Sequence, residues 1–209
     1  EMKHEKALLE AHIEDTLCAG HHLNDREAVQ ILVNEAHENI ELLLKVGVHF
    51  DKDGSGGYLT TLEGGHSTSR VLHSGGDATG KDIMNALQRE ARRRENIHIY
   101  EQTMAVDLAV TDGRVHGISA LDKDHETVVF TASDIILATG GVGSVYTAST
   151  NPPIATGDGI AMASRAKAKT EKMAFVQFHP TAFFDPDNPE GRRFLISEAL
   201  RGEGAVLRN

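Results

Sequence analysis

The sequence predicts an α/β protein with an added antiparallel subdomain, and three observations predict this class. Stretches with helical spacing of apolar residues alternate with short β-branched stretches. The dipeptide Asp112-Gly113 separates two runs of alternating polarity, as in a hairpin. An apolar run at 134–138 leads into a glycine pair. At 209 residues the chain has room for one large domain, or for one domain and part of a second.

Composition excludes several classes of protein. The formal net charge of -10 argues against nucleic acid or an anionic membrane as the main partner, because both demand a basic face. No apolar run approaches the roughly 20 residues that span a bilayer, and we expect no signal peptide and no membrane span. The single cysteine, Cys18, excludes an internal disulfide and a cysteine-based zinc site, and it fits a reducing cytoplasm. No metal site is predicted, because His4, His12, His21 and His22 lack ligand spacing.

The first half of the chain is predicted to be helical around an irregular loop. We expect helices over 5–17, from an Asn24 N-cap to Lys45, and from a Thr79 N-cap to Arg94. The second of these carries the predicted core stripe, which consists of Ala28, Ile31, Leu32, Ala36, Ile40, Leu43 and Leu44. Between the helices, residues 51–78 show no periodicity and contain three glycine pairs, which favours a functional loop.

The second half is predicted to be rich in strands. The expected strands are 97–100, 103–110, 115–121, 127–131, 134–138 and 175–180. The three from 103 to 131 form an antiparallel meander, whereas the apolar run at 134–138 is typical of a strand buried on both faces. One helix is expected from Gly157 to about Lys167, and a short one shortly before Asn209.

Two glycine-bearing stretches are suited to bring main chain close to a large ligand. The strand at 135–138 delivers Thr139, Gly140 and Gly141 at its carboxyl end, where open α/β sheets bind ligands. Asp158 begins a helix whose free N–H groups and positive dipole end suit a pyrophosphate. A plain turn for the first stretch and an ordinary N-cap for Asp158 are the alternatives, and the residues alone leave both open.

Three further stretches combine ionisable and hydroxyl side chains. The loop sequence Glu-Gly-Gly-His-Ser at 63–67 is suited to hold a ligand bearing both a carboxylate and an ammonium group. His179 lies between aromatic residues and a proline turn. Two roles are open for it: as a charged imidazolium it would bind a carboxylate, and as a neutral imidazole it would form a hydrogen bond with a backbone carbonyl. Glu198 and Arg201, three residues apart, form either a surface ion pair or a buried proton relay.

Seven short motifs occur in one order along nearly the whole chain. They are Glu-Gly-Gly-His-Ser (63–67), Asp-Ala-Thr-Gly (77–80), Ala-Thr-Gly-Gly (138–141), Thr-Asn-Pro (150–152), Gly-Asp-Gly (157–159), Gln-Phe-His-Pro-Thr (177–181) and Glu-Ala-Leu-Arg-Gly-Glu-Gly (198–204). This arrangement resembles the flavoprotein family of succinate dehydrogenase, fumarate reductase and L-aspartate oxidase. The first motif is similar to the L-aspartate oxidase branch, since the dicarboxylate dehydrogenases carry Phe-Gly-Gly-Gln-Ser there. The physics agrees, because a carboxylate at 63 stabilises an ammonium group and repels a plain dicarboxylate.

The resemblance implies a fold, a cofactor and a reaction. The implied fold is the middle part of a Rossmann-like FAD-binding domain of the glutathione-reductase type, with an antiparallel β-meander, followed by the start of a capping α+β domain. The implied cofactor is FAD, bound non-covalently in the intact protein. The implied reaction is the oxidation of L-aspartate to iminoaspartate by hydride transfer from Cα, with oxygen or fumarate as the acceptor. Its product feeds quinolinate and hence NAD synthesis, and quinolinate synthase is an implied partner.

The same resemblance implies roles for individual residues. The implied substrate-binding residues are Glu63, His66, Ser67, His179 and Ser197. The implied catalytic residues, which form a proton relay, are Glu198 and Arg201. The implied FAD-binding residues are Met104, Ala105, Thr139, Gly140, Gly141 and Asp158.

The resemblance also predicts an internal fragment. The expected domains are a partial FAD-binding domain over 1–172 and the start of a capping domain over 173–209. The family's Gly-x-Gly-x-x-Gly unit has no match here, and neither has its later acid/base arginine, so we expect the isolated chain to be inactive. The alternatives are a succinate dehydrogenase or fumarate reductase flavoprotein in which Glu63 is incidental, and a non-catalytic truncated binding module.

Overall fold

The computed structural model describes residues 2–76, 78–179, 181–188, 191–196, 200, 204–206 and 208. The chain divides into two compact units, Glu1–His98 with Ser197–Asn209, and Ile99–Ile196. Helices and antiparallel strands occur together, which confirms the predicted α/β class. Among the helices of the described residues, none is long and apolar enough to cross a membrane.

Four helices of the first unit are described. They are α1 (Met2–Ala19), α2 (Arg26–Asn34), α3 (Ala36–Lys45) and α4 (Thr79–Arg92). The prediction of one continuous helix up to Lys45 is wrong, because Glu35 serves both as the C-cap of α2 and as the N-cap of α3. The stretch therefore forms two short helices.

The N-caps also differ from the prediction. Asp25, not Asn24, caps α2, and its Oδ1 accepts hydrogen bonds from the N–H groups of Glu27 and Ala28 at 2.9 and 3.2 Å. Helix α4 begins after Ala78 without a side-chain cap. The Thr79 hydroxyl oxygen instead accepts a hydrogen bond from the N–H of Ser74 at 3.0 Å, so it ties the preceding loop to the helix.

The first unit has two apolar clusters. The cluster between α1 and α2 consists of Ile13, Leu17, Val29 and Val33. The second, on which parts of α3 and α4 pack, consists of Val48, Phe50 and Ala86. The predicted core stripe is wrong at Ala28, Ile31 and Leu32, which are all exposed, the last two to 51% and 67%, because the break at Glu35 separates the two helical faces. Ile40, Leu43 and Leu44 do pack against the second cluster.

The irregular loop contains one small hairpin. Strand β1 (Thr60–Thr61) pairs antiparallel with β2 (Val71–Leu72), with Thr61 opposite Val71. The remainder of residues 51–78 in the described part is irregular, as predicted, and consists of turns, bends and isolated bridges, one of them between Lys52 and Tyr58. The pairing brings Glu63, two residues after β1, towards His73, the residue that follows β2.

The second unit is organised by the predicted meander. Strands β3 (Met104–Thr111), β4 (Arg114–Leu121) and β5 (Thr127–Thr131) form an antiparallel sheet in that order. Asp112 and Gly113 connect the first two with φ values of 51° and 74°, the conformation that a two-residue hairpin turn requires. Helix α5 (Asp158–Arg165) contacts β3, where Arg165 Nε donates to Asp107 Oδ2 at 2.9 Å.

Three predicted strands are wrong. Residues 97–100, 134–138 and the described part of 175–180 have no ladder partner among the described residues. A buried strand needs a neighbouring strand for its main-chain groups, and Ile136 is 91% exposed. Two short strands, β6 (Ala182–Phe183) and β7 (Phe194–Leu195), pair antiparallel instead. The short helix predicted before Asn209 falls largely outside the described residues.

Candidate functional site

The β1–β2 hairpin holds the Glu63 carboxylate between a hydroxyl group and an imidazole. Glu63 Oε1 lies 3.7 Å from His73 Nε2 and accepts a hydrogen bond from the Thr61 hydroxyl at 3.3 Å. The Thr61 hydroxyl also contacts His73 Nε2. The side chains of Glu63 and His73 are only 17% and 22% exposed. The acid that was predicted to bind an ammonium group is therefore largely withdrawn from bulk water.

A second polar cluster anchors the loop to α1, and we call its residues, Asp15, Ser67 and Arg70, the Asp15 cluster. The N–H and the hydroxyl of Ser67 donate to Asp15 Oδ2 at 2.8 and 2.7 Å. Arg70 Nη1 donates to the same oxygen at 2.7 Å. The Asp15 and Arg70 side chains are 19% and 16% exposed, so the pair is shielded from salt and water.

The Asp15 cluster changes the protonation of two groups. Burial alone would raise the pKa of Asp15, but hydrogen bonds from Ser67 and Arg70 lower the pKa to about 2. Burial lowers the pKa of His12 from its ordinary value, and the neighbouring Arg70 and His66 lower the same pKa further. Near neutral pH the cluster thus contains an ionised carboxylate beside a neutral His12.

His66 is oriented by the same arginine. Arg70 Nη1 lies 2.9 Å from His66 Nδ1. Because a guanidinium only donates, Nδ1 accepts this bond and the imidazole proton resides on Nε2. His66 can therefore donate from Nε2 to a ligand, whereas the N–H and the hydroxyl of Ser67 both donate to Asp15.

In the second unit, residues 139–141 lie against the start of α5. A Cβ added at Gly159 would lie 1.9 Å from Thr139 Oγ1, so only glycine permits this approach. At Gly140 and Gly141, an added Cβ would meet no heavy atom of the described chain within 4 Å. The segment therefore packs tightly on one side and presents unobstructed main chain on the other.

The start of α5 offers main-chain donors. Its N-cap, Gly157, has a φ of 81° and provides no side-chain capping bond. Asp158 is exposed and accepts a hydrogen bond from the Thr156 hydroxyl at 2.7 Å. Uncapped N–H groups beside open main chain suit the phosphates of a dinucleotide, and so these residues fit FAD. At the start of β3, Met104 is 56% exposed.

His179 in the second unit is held by its own turn. Its Nδ1 lies 2.9 Å from the carbonyl oxygen of Thr181 and 3.2 Å from the N–H of Thr181, which is itself buried. The ring is half-buried, and these contacts fix its orientation. The predicted residues Ser197, Glu198 and Arg201 lie outside the described residues.

Sequence reasoning assigned no role to four residues of these arrangements, which are Asp15, Thr61, Arg70 and His73. The partners of Asp15 stand 52 and 55 positions away along the chain, so no local pattern marks it. For His73 the sequence offered one indication, since this residue directly follows the apolar dipeptide Val71-Leu72, which pairs with residues 60–61. Recognising that pair in a glycine-rich loop would have placed His73 beside Glu63.

Comparison with known proteins identifies the family. Residues 2–209 match the model of the FAD binding domain family. The chain is 44% identical over 203 residues to L-aspartate oxidase of Streptomyces coelicolor, covering 95% of this chain and 35% of that protein. It is 44% identical over 202 residues to L-aspartate oxidase of Neisseria meningitidis, covering 96% and 40%. The chain thus spans between a third and two fifths of these relatives.

Solved structures give the same fold. FrdA of E. coli quinol fumarate reductase, in a mutated form, aligns with a TM-score of 0.84 at 28% identity, covering 96% of this chain and 33% of that one. Sdh1 of Mycobacterium smegmatis in complex with UQ1 aligns with a TM-score of 0.79 at 32% identity, covering 96% and 35%. The chain belongs to the FAD-binding flavoprotein family that these enzymes share, and its relatives at 44% identity are L-aspartate oxidases.

Proposed function

We propose that this chain is part of an FAD-dependent enzyme that oxidises L-aspartate to iminoaspartate. The observation that carries the proposal is the placement of Glu63, whose carboxylate is only 17% exposed and is fixed by the β1–β2 hairpin. A substrate ammonium group gains a charge-assisted bond to such a carboxylate, whereas a plain dicarboxylate meets repulsion. Relatives named L-aspartate oxidase support this choice of substrate.

The loop residues divide the work of binding. Glu63 holds the ammonium group, and both described contacts of its carboxylate fall on Oε1, so Oε2 is available for the ligand. His66 donates from Nε2 to a substrate carboxylate, since Arg70 occupies its Nδ1. Ser67 acts by fixing the loop, because both of its donors are directed to Asp15.

Further roles rest on the family resemblance. His179 and Ser197 bind the substrate carboxylates, while Glu198 and Arg201 pass the proton to and from solvent. Bound FAD supplies the hydride acceptor for the Cα hydrogen. The residues that would hold it are Met104, Ala105, Thr139, Gly140, Gly141 and Asp158.

The cellular setting is part of the same proposal. Oxygen or fumarate takes the electrons, and iminoaspartate enters quinolinate and NAD synthesis with quinolinate synthase as the partner. A cytoplasmic location rests on the single cysteine. The proposed domains are 1–172 for FAD and 173–209 for the start of the cap. The isolated chain is proposed to be inactive, and L-aspartate-dependent peroxide from it alone would contradict this.

The substrate assignment is tested in the full-length, FAD-loaded protein that carries this stretch. We expect oxygen consumption with L-aspartate, and a rise in KM of roughly 10- to 100-fold in Glu63→Gln, since a charge-assisted bond is lost. The exposed Glu95→Gln is the matched control and should leave KM unchanged. Oxidation of succinate in place of L-aspartate by the unsubstituted protein would favour the dehydrogenase alternative.

A further inference from the structure

One imidazole stands beside the residue that selects the substrate. His73 Nε2 lies 3.7 Å from Glu63 Oε1, and the Thr61 hydroxyl contacts both side chains. All three are at least half-buried. The antiparallel pairing of β1 and β2 sets this arrangement, because Thr61 lies opposite the residue two positions before His73.

The contacts have one consistent direction. The Thr61 hydroxyl has a single proton, which it donates to Glu63 Oε1. It must therefore accept in its contact with His73, so the Nε2 of His73 carries a proton and donates. The chain therefore runs from His73 through Thr61 to Glu63: His73 directs the Thr61 proton onto Oε1, and its ring stands 3.7 Å from the same oxygen. A carboxylate held in this way cannot rotate without losing its partners.

The surroundings of His73 are acidic. Besides Glu63, the nearby carboxylate is Asp51, whose two oxygens accept the N–H groups of Gly75 and Gly76 at 3.0 Å each. These main-chain bonds lower the pKa of Asp51, and His73 lowers it further. His73 therefore donates beside two carboxylates, where a hydrogen-bond donor is favoured over an apolar side chain.

We propose that His73 is a positioning residue that aligns Glu63 for the ammonium group and thereby sets the selectivity for amino dicarboxylates. The inference rests on the proposed function. Because Thr61, oriented by His73, binds Oε1, Oε2 is available to the ligand. Without them Glu63 samples other rotamers, and the ammonium group must pay for ordering the carboxylate as it binds. The carboxylate subsites of the ligand do not depend on this alignment.

The test compares substitutions in the full-length, FAD-loaded protein. His73→Phe should raise KM for L-aspartate about tenfold while kcat changes less than about twofold, as expected when binding energy is lost uniformly. The inhibition constant of succinate, which lacks an amino group, should change less than about twofold. His73→Gln, which retains a donor, should recover most of the affinity. The dissociation constant of L-aspartate, measured by calorimetry without oxygen on protein whose FAD has been reduced beforehand, should follow KM.

A second pair of variants guards against misfolding at position 73. Thr61→Val preserves the shape of the side chain and should reproduce the L-aspartate effect, whereas Thr60→Val, on the exposed neighbouring residue, should not. Equal losses for L-aspartate and succinate would show a merely structural role and overturn the inference. So would unchanged or tighter L-aspartate binding in His73→Phe. If the unsubstituted protein fails to oxidise L-aspartate, the proposed function falls first and this inference falls with it.

Discussion

The irregular loop of the first unit, residues 51–78, and the 134–142 segment of the second unit differ in the exposure and the partners of their side chains. The ionisable groups of the loop find partners within the chain. The side chain of Glu63 in the loop is 17% exposed, and that of Asp15 on α1, which binds Ser67 and Arg70 of the loop, is 19% exposed. In the 134–142 segment, by contrast, apolar side chains are exposed to solvent, and Ile136 is 91% exposed. Burial of charge and exposure of apolar surface are both the reverse of the usual distribution.

The difference follows from where the partners lie. Asp15 is 52 residues from Ser67, yet both belong to the first unit and pair there. The apolar run at 134–138 needs a neighbouring strand, and none of the described residues provides one. The chain covers 35% of its relative from Streptomyces coelicolor. A polar cluster whose partners all lie within this stretch can therefore be interpreted in terms of function. An exposed apolar run indicates instead a surface whose packing partner is not among the described residues.

The largest expected effect contrasts a buried phenylalanine with an exposed one. Phe50 is 6% exposed and lies in the second apolar cluster, so Phe50→Ala should reduce the free energy of unfolding by about 3–5 kcal/mol. Phe175 is 63% exposed, and Phe175→Ala should change it by less than about 0.5 kcal/mol. Urea unfolding followed by circular dichroism measures both. Similar losses would show that the aromatic surface of the second unit is buried in solution.

Two glycines of the second unit sharpen the comparison. A Cβ at Gly159 would meet Thr139 Oγ1 at 1.9 Å, and the short branched side chain of Thr139 cannot move aside, so Gly159→Ala should destabilise the fold by about 1–3 kcal/mol. Gly141 has open space, so Gly141→Ala should leave stability unchanged. In the full-length protein both should weaken FAD binding. Undiminished FAD affinity in Gly141→Ala would remove the open main chain from the cofactor site.

Sequence reasoning succeeded where the determinant is local. Asp112-Gly113 predicts its hairpin because both positions require positive φ. It failed between Asn24 and Asp25, since two adjacent residues can each cap a helix and only the geometry decides. It also missed Asp15, because a helix pattern does not reveal a partner 52 residues away. An apolar run such as 134–138 predicts burial, but it does not say which strand provides it.

A smaller effect is expected from the Asp15 cluster, and it depends on pH. The pKa of Asp15 falls from its ordinary 3.8 to about 2 on folding, so the cluster contributes stability above about pH 4 that is lost as the pH falls towards 2. Asp15→Asn should lower the free energy of unfolding by roughly 1–2 kcal/mol at pH 7. This is less than the pKa shift alone would give, because water reaches the carboxylate and screens its charge. It should also flatten the acid limb of the stability curve. Urea titrations between pH 2 and pH 7 measure both changes.

The neighbouring Glu14 provides the control for this pH dependence. It pairs with Arg26, but both side chains are about half exposed, so Glu14→Gln should cost less than about 0.5 kcal/mol. Equal effects of the two substitutions would contradict a special role for the Asp15 cluster. If stability is still lost at low pH in Asp15→Asn, other carboxylates cause that loss.

The smallest expected change in stability is at Ile136. Because this side chain is 91% exposed, Ile136→Lys in the isolated chain should alter the free energy of unfolding by less than about 0.5 kcal/mol. The same substitution should reduce self-association, since a charge interrupts an exposed apolar segment whose main-chain groups have no ladder partner among the described residues. Light scattering over a range of concentrations measures the association, and Ser133→Lys controls for added charge alone. If Ile136→Lys instead unfolds the second unit, the segment is packed in solution and the contrast with the loop of the first unit disappears.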